Sequence, residues 1–198
     1  VSTDNYAGGK KAGKFLAKNL NQKGKVAVLR YSEGSASTHA REEGFLDAMK
    51  KYPEIEVVSS NQYSGATAES AMKAAENLFA RFKDQKGKLK FDGLFCSNES
   101  VTTGTLQALK VMAAEDDLKI VGFDSSPMFV DAVKKERLEG FVMQNPLKMG
   151  YIAVKTMIQH LNGKKVPERI DTGSTLVTEK NMNDPQIKKL LNPPLDKW

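Results

Sequence analysis

Polar side chains follow each apolar run of this chain, and their types suit hydrogen bonding to a ligand. In "KIVGFDSSP" (119–127), the apolar residues end at Phe123, and Asp124 follows directly. In open parallel sheets, ligands bind beyond the carboxyl ends of the strands. The residues at the ends of the predicted strands are therefore candidates for a site: Tyr31, Tyr63, Asn98, Glu99, Phe123, Asp124 and Gln144.

Arg41 joins these candidates, because it is predicted in the first turn of the first crossover helix. It lies on the apolar stripe of that helix, where an unpaired arginine would be costly. His39 is two residues away and could line the same cleft. Arg41 supplies donors, Asp124 an acceptor, and Asn98 and Gln144 supply amides that both donate and accept. With Phe123 as an aromatic face, the set suits a neutral polyhydroxylated ligand.

Structural roles would explain the same residues without a ligand. Asn98 and Asp124 each precede a predicted helix and could cap it. Arg41 and Asp124 could form an ion pair that only stabilises the fold. Polar residues are also expected at the strand ends of any α/β protein, because its loops are polar.

Catalytic motifs do not stand out in the sequence. It contains no Gly-x-Ser-x-Gly elbow, no phosphate-binding loop and no Gly-x-Gly-x-x-Gly. The histidines, His39 and His160, lie on different predicted helices without companions spaced for metal binding. Glu99 and Asp124 could form an acid/base pair, but no nucleophile accompanies them. We therefore expect no enzyme activity, no cofactor and no metal.

Strand-like and helix-like segments alternate along the chain, and this alternation must position the candidate residues. The predicted strands are 25–31, 55–60, 92–97, 118–123 and 140–144, and helices are predicted at 5–21, 38–51, 66–82, 127–137 and 147–161. A further helix is predicted between the strands at 92–97 and 118–123, with Leu106, Leu109 and Ala113 facing inward. Strand–helix–strand units of about 30 residues indicate a parallel sheet of the flavodoxin or Rossmann type. The sequence thus predicts an α/β fold.

The helix predicted at 147–161 lacks a sheet of its own. Its apolar stripe consists of Leu147, Tyr151, Val154, Ile158 and Leu161. Because the sheet of residues 25–144 already has its own helices, we expect this helix to belong to a second domain that is mostly outside this sequence. Residues 4–144 would then form a ligand-binding domain, 145–173 a helix and crossover of the other domain, and 174–198 a returning strand and tail.

Composition excludes several other classes of protein. The 198 residues are 40% hydrophobic and 27% charged, as in ordinary globular proteins. The net charge of +6 comes mostly from lysines scattered over helices, so nucleic-acid binding is not predicted. Cys96 lies inside an apolar run and should be buried. The opening "VSTDNYAGGKK" does not have the pattern of a signal peptide, so the protein is expected to be cytosolic or to have lost a leader.

A set of short motifs resembles a known family. In order, they are "STDNYAGGKKAG" (2–13), "HAREEGF" (39–45), "QYSGATAESA" (62–71), "LFCSNE" (94–99), "TGTLQALK" (103–110), "IVGFDSSP" (120–127) and "MQNP" (143–146). Each is weak alone, but the ordered set resembles the later part of a ribose-type periplasmic sugar-binding protein of the type I periplasmic binding fold.

The resemblance implies two similar α/β domains that close on a sugar. The positions matching the family's ligand residues are Arg41, Asn98, Asp124 and Gln144, with Phe123 beside the cleft. Glu99 stands where an aspartate is common, so its role is open. The match at 62–65 is loose, and Tyr63, like Tyr31 and His39, is only a possible contact. The first part of the family's N-terminal domain has no counterpart in this sequence.

The family implies a substrate-binding component of an ABC importer. Its partners would be a small sugar or polyol, the membrane subunits of the permease, and the missing N-terminal segment. Its location would be periplasmic or extracellular, either lipid-anchored or secreted. An alternative is the effector-binding core of a lactose-repressor-type regulator, whose DNA-binding part this sequence could not show. A sugar-modifying α/β enzyme is a third possibility.

Overall fold

A six-stranded sheet forms the centre of the computed structural model, which describes residues 1–114 and 118–193. The strands are β1 (Lys23–Arg30), β2 (Glu54–Tyr63), β3 (Gly93–Cys96), β4 (Lys119–Phe123), β5 (Gly140–Met143) and β6 (Thr175–Val177). Their order is β2-β1-β3-β4-β5-β6, and only β6 runs antiparallel to its neighbour. The predicted parallel α/β fold is therefore confirmed.

Helices cover both faces of this sheet. They are α1 (Asn5–Asn19), α2 (Ala36–Met49), α3 (Ala68–Phe82), α4 (Glu99–Val111), α5 (Pro127–Lys134), α6 (Pro146–Leu161) and α7 (Pro185–Leu191). α1 and α2 share one apolar cluster with Val26 and Val28 of β1. α3, α4, α5 and α7 share the other cluster with Ala27 and Leu29. The alternation along β1 is the two-residue period of a strand buried on both faces.

The strand order creates a crevice at one edge of the sheet. β1 lies between β2 and β3, and the connections through α2 and α3 cover opposite faces of the sheet. In doubly wound sheets, such a reversal of strand order is where ligands bind, outside the carboxyl ends of the strands. Here that point is the β1–β3 boundary, which is flanked by the start of α2 and the start of α4.

Several element boundaries differ from the sequence-based expectation. α2 begins at Ala36, so Arg41 lies in its second turn and not in its first. β2 continues to Tyr63, which therefore lies within an edge strand and not beyond it. α7 was not predicted, because the prolines around it suggested an irregular tail. Residues 194–198 of the predicted tail lie outside the described residues.

α6 stands apart from the packed layers. Among the helices that the structure describes, it alone has no buried residue. Its exposed apolar side chains are Tyr151, Val154, Met157, Ile158 and Leu161. After α6 the chain returns past Ser2, which pairs with Asp171, and then forms β6 beside β5. No helix in the described ranges is long and apolar enough to span a membrane.

Candidate functional site

Asp124 is the centre of a polar cluster at the carboxyl edge of the sheet. It directly follows β4 and has a backbone φ of 70°, in the left-handed region that few non-glycine residues adopt. One carboxylate oxygen, Oδ2, accepts from Arg41 Nη1 at 3.3 Å and from the backbone N–H of Glu99 at 3.2 Å. The other, Oδ1, accepts from Gln144 Nε2. Aspartate tolerates this backbone conformation better than most residues. With the backbone in this conformation, the carboxylate lies within the cluster.

Arg41 reaches Asp124 from α2. Its side chain is only 6% exposed, whereas that of Asp124 is 25% exposed. Nε donates to Asn5 Oδ1 at 2.8 Å, and Nη1 also donates to the backbone carbonyl of Ser97 at 3.0 Å. Burial lowers the pKa of Arg41 below its ordinary value, and the charge of Asp124 partly offsets this effect. The ion pair that the sequence suggested is therefore present, with the carboxylate as its accessible end.

Phe123 does not offer a free aromatic face, which corrects the predicted role of this residue. Its side chain is fully buried, among Val121, Leu16 and their neighbours. The guanidinium carbon of Arg41 lies 3.9 Å from the centre of the ring. A Cβ added at Gly8 would lie 2.9 Å from an edge carbon of the same ring, so Gly8 packs directly against Phe123. Phe123 thus supports the arginine through a cation–π contact and is inaccessible to a stacked ligand.

Asn98 follows β3 and begins α4. Its Oδ1 accepts from the backbone N–H of Val101 at 3.1 Å, so the capping role considered for Asn98 is confirmed. Within the described residues, no hydrogen bond uses its Nδ2, which remains a donor for a ligand. The equivalent alternative for Asp124 is wrong, because Ser126 caps α5. The side chain of Glu99 is exposed at the rim, and only its backbone takes part in the cluster.

Tyr31, Tyr63 and His39 surround a different network. They lie near Glu42, a buried carboxylate that pairs with Arg30 at 3.1 Å and accepts from the backbone N–H of Tyr31. His39, Tyr63 and Glu42 line a cavity of about 190 Å³ beyond the end of β1. No hydrogen bond or ion pair within the described ranges joins these three candidates to Asp124. Their predicted role as ligand contacts has no direct support from this geometry.

Asn5 and Ser97 both contact Arg41, although the sequence indicated Ser97 only as a residue at the end of a predicted strand and did not indicate Asn5 as part of the site. Asn5 lies 36 residues before Arg41, and no local pattern connects the two. The carbonyl of Ser97 accepts from Arg41, while the buried Oγ of Ser97 has no hydrogen-bond partner within the described part of the chain. The only signal for Ser97 in the sequence was its position at the end of the apolar run that forms β3.

The groups that the cluster presents are suited to hydrogen bonding. Within residues 1–114 and 118–193, no group of three or more histidine, cysteine or carboxylate side chains could hold a metal ion. Cys96 is fully buried, as predicted, and burial raises the pKa of its thiol to about 12. It is therefore not a reactive thiolate. What remains is a fixed carboxylate, a buried guanidinium and amide groups, all of which can pair with hydroxyl groups.

Comparison with known proteins supports this description. Residues 1–165 match the periplasmic binding protein domain. The ribose import binding protein of Haemophilus influenzae is 32% identical over 179 residues, which are 90% of this chain and 58% of that protein. The D-allose-binding periplasmic protein of Escherichia coli is 30% identical over 169 residues, 84% of this chain and 52% of that protein.

A solved structure matches the fold closely. It is a carbohydrate transporter solute binding protein from Agrobacterium radiobacter in complex with D-arabinose, with a TM-score of 0.86 and 33% identity. The match covers 96% of this chain and 64% of that one. The chain thus spans somewhat more than half the length of its curated relatives. On the family match, the strand order and these likenesses, the chain belongs to the periplasmic binding protein family.

Proposed function

We propose that this chain forms the larger ligand-binding part of a sugar or polyol receptor for an ABC importer. The observation that carries the proposal is the Asp124 cluster, in which Arg41 and Gln144 hold an accessible carboxylate at the β1–β3 crevice. Relatives named for ribose, allose and arabinose support a sugar as the ligand. They are binding proteins, which supports a role without catalysis.

In the proposed site, Asp124 accepts hydrogen bonds from sugar hydroxyl groups. Each carboxylate oxygen can accept more than one hydrogen bond, so a hydroxyl can be added to the contacts already present. Arg41 Nη2, which none of the hydrogen bonds between described residues uses, donates to a ring or hydroxyl oxygen. Nδ2 of Asn98 and the oxygen of the Gln144 amide supply one further donor and acceptor. The hydrogen bonds of Asp124 and Arg41 with the sugar would be charge-assisted, and therefore stronger than those of the two neutral amides.

The second wall of the site is proposed to come from a complementary domain outside this sequence. α6 supports this, because its apolar stripe is exposed and flanks an apolar groove lined by Leu147, Tyr151 and Val154. In this account, residues 4–144 form the ligand-binding domain, and 145–173 belong to the complementary domain. Residues 174–198 return to the first domain, where β6 pairs with β5. Closure of the two domains would bury most of the ligand surface.

A transport role implies a location and further partners. The receptor would work in the periplasm or outside the cell, lipid-anchored or secreted, and would deliver its sugar to the membrane subunits of a permease. The effector-binding core of a transcription regulator is the alternative, but the names of the matched relatives favour transport.

A thermal-shift panel of pentoses, hexoses and inositols on the full-length gene product tests the proposal. A ligand at about 100 times its dissociation constant stabilises the folded state by about 2.7 kcal/mol. For a protein of this size, that corresponds to an increase in Tm of several degrees. We expect such an increase with at least one sugar, and a clearly smaller increase with the same sugar at the same concentration for Arg41→Ala. If no sugar or polyol in the panel raises the Tm, the proposal is refuted. Mass spectrometry of the same mixtures would reveal turnover, which would refute the binding role.

A further inference from the structure

Asn5 connects the candidate site to the segments that lead out of the sheet domain. It is the first residue of α1 and is half-buried. Its Oδ1 accepts from Arg41 Nε at 2.8 Å, and its Nδ2 donates to the backbone carbonyl of Thr3 at 3.2 Å. The side-chain amide therefore has one end on the guanidinium and the other on the strand-like segment before α1.

That segment is itself held in place. The backbone N–H of Ser2 donates to the carbonyl of Ile170, and the N–H of Thr172 donates to the carbonyl of Ser2. The N–H of Asp4 donates to Asp171 Oδ1 at 2.8 Å. Residues 2–4 and 170–172 thus form a paired unit, and Asn5 follows it directly.

The contacts of Arg41 show why an acceptor at Nε matters. A guanidinium is planar, and its donors point in fixed directions. Asp124 and the carbonyl of Ser97 engage Nη1 on one side, and Asn5 engages Nε on the other. The Phe123 ring, 3.9 Å from the guanidinium carbon, holds the plane itself, and contacts at two separate nitrogens fix the rotation of the guanidinium within that plane. The direction of Nη2, the donor left for a ligand, follows from that rotation.

Helix capping does not account for the side chain of Asn5. Asp4 is the N-cap of α1, and its Oδ1 accepts from the backbone N–H of Ala7 at 2.8 Å. The start of the helix is therefore satisfied without the Asn5 amide. Both ends of that amide are used for other contacts, one of them to a buried charged group.

We propose that Asn5 is a positioning residue for ligand binding, which sets the rotation of the Arg41 guanidinium within its plane and joins it to the 2–4 and 170–172 segments. The proposal rests on the proposed function for its effect on affinity. Its structural part, the orientation of Arg41 by Asn5, stands independently of which sugar is bound.

The test uses the full-length protein with Asn5→Ala, Asn5→Asp, Arg41→Ala, the double variant Asn5→Ala/Arg41→Ala and the control Asn19→Ala. Asn19 lies at the other end of α1, where its Nδ2 donates to the carbonyl of Phe15. The first measurement is the NMR signal of the Arg41 Nε–H without ligand. The second is calorimetry with D-ribose, D-arabinose and D-allose.

We expect a protected Arg41 Nε–H signal in the wild type, Asn5→Asp and Asn19→Ala, and its loss in Asn5→Ala. Loss of this contact should weaken sugar binding about tenfold. Asn5→Asp keeps an acceptor and should lie closer to the wild type. In the Arg41→Ala background, Asn5→Ala should change the affinity less than about twofold, because its effect acts through the arginine.

Two results would overturn the inference. One is an Arg41 signal that persists in Asn5→Ala, and the other is a full tenfold loss from Asn5→Ala when Arg41 is already absent. If the wild type binds none of the three sugars, they are not its ligands and the result counts against the proposed function, whereas the NMR signal still decides the positioning role. If Asn5→Ala does not fold, Asn5→Asp decides whether Asn5 positions Arg41. An affinity of Asn5→Asp as low as that of Arg41→Ala would count against this role.

Discussion

Replacement of Asp124 by asparagine isolates the charge of the carboxylate at the centre of the site. Asparagine has the same shape and also adopts the left-handed backbone found here at φ 70°, so the strand end should keep its conformation. Alanine would add backbone strain, so a loss of affinity would combine the effect of that strain with the loss of the carboxylate. After the change, Arg41 remains 6% exposed but loses its counter-charge. The substitution therefore tests whether a charged acceptor, and not merely a polar side chain, is needed.

The expected loss follows from the contacts of the carboxylate. A hydrogen bond to a charged group contributes about 1.5–3 kcal/mol, against about 0.5–1.5 kcal/mol for a neutral pair. The difference of about 1–2 kcal/mol corresponds to a loss of affinity of about five- to thirtyfold. Asp124→Ala and Arg41→Ala, which remove a partner altogether, should each cost about ten- to a hundredfold. Glu99→Gln should cost less, because only the backbone of Glu99 contacts the cluster.

Calorimetry on the full-length protein measures these differences. The sugar is the one that gives the largest thermal shift, and circular dichroism confirms that each variant is folded. Asp131→Asn is the matched control, because Asp131 is an exposed aspartate that pairs with Lys135 on the surface of α5. It should bind like the wild type. Wild-type affinity in both Asp124→Asn and Arg41→Ala would show that the sugar binds elsewhere.

Three further predictions concern the packing around the site. The thiol of Cys96, whose pKa burial raises to about 12, should react with Ellman's reagent at pH 8 only after denaturant is added; rapid reaction of the native protein would contradict its burial. Gly9→Ala should lower the free energy of unfolding, measured in urea, by about 1–3 kcal/mol, because the new Cβ would lie 1.9 Å from the backbone oxygen of Arg41. The same displacement of Arg41 should weaken sugar binding. A variant as stable as the wild type would mean that α1 and α2 are not this close. Residues 1–198 alone should associate through the exposed apolar side chains of α6, and Val154→Lys with Ile158→Lys should prevent this association in light scattering without changing the Tm; a large decrease in Tm would show that both side chains pack within this chain.

The sequence was sufficient to predict most of the fold and the main cluster. Apolar runs at regular intervals predicted the parallel strands. Asp124 and Gln144 were predicted to share a site because both follow such strands, and ligands bind at the carboxyl ends of parallel strands. Arg41 was found because a charged residue on an apolar helix stripe needs a partner. Each of these inferences depends only on the spacing of apolar residues or on the place of a residue within one helix or strand, and both can be seen in a single sequence.

Orientation and long-range contacts were harder to predict. β4 is buried on both faces, so its apolar residues do not alternate with polar ones, and the pattern cannot show that Phe123 points towards α1 and α2. The contact between Asn5 and Arg41 depends on how those helices pack. α7 is short and lies between prolines, so its propensity is weak, and Ile187 is held by the core.

In the proposed receptor, this chain supplies one wall of a cleft between two domains. The most direct test is calorimetry with one sugar on the full-length gene product and on residues 1–198 alone. The open face of the single domain would leave each hydrogen bond in competition with water, which costs several kcal/mol. We therefore predict micromolar binding by the full-length protein and binding at least about a hundredfold weaker by the isolated chain. A monomeric 198-residue chain that binds the sugar as tightly as the full-length protein would contradict the account.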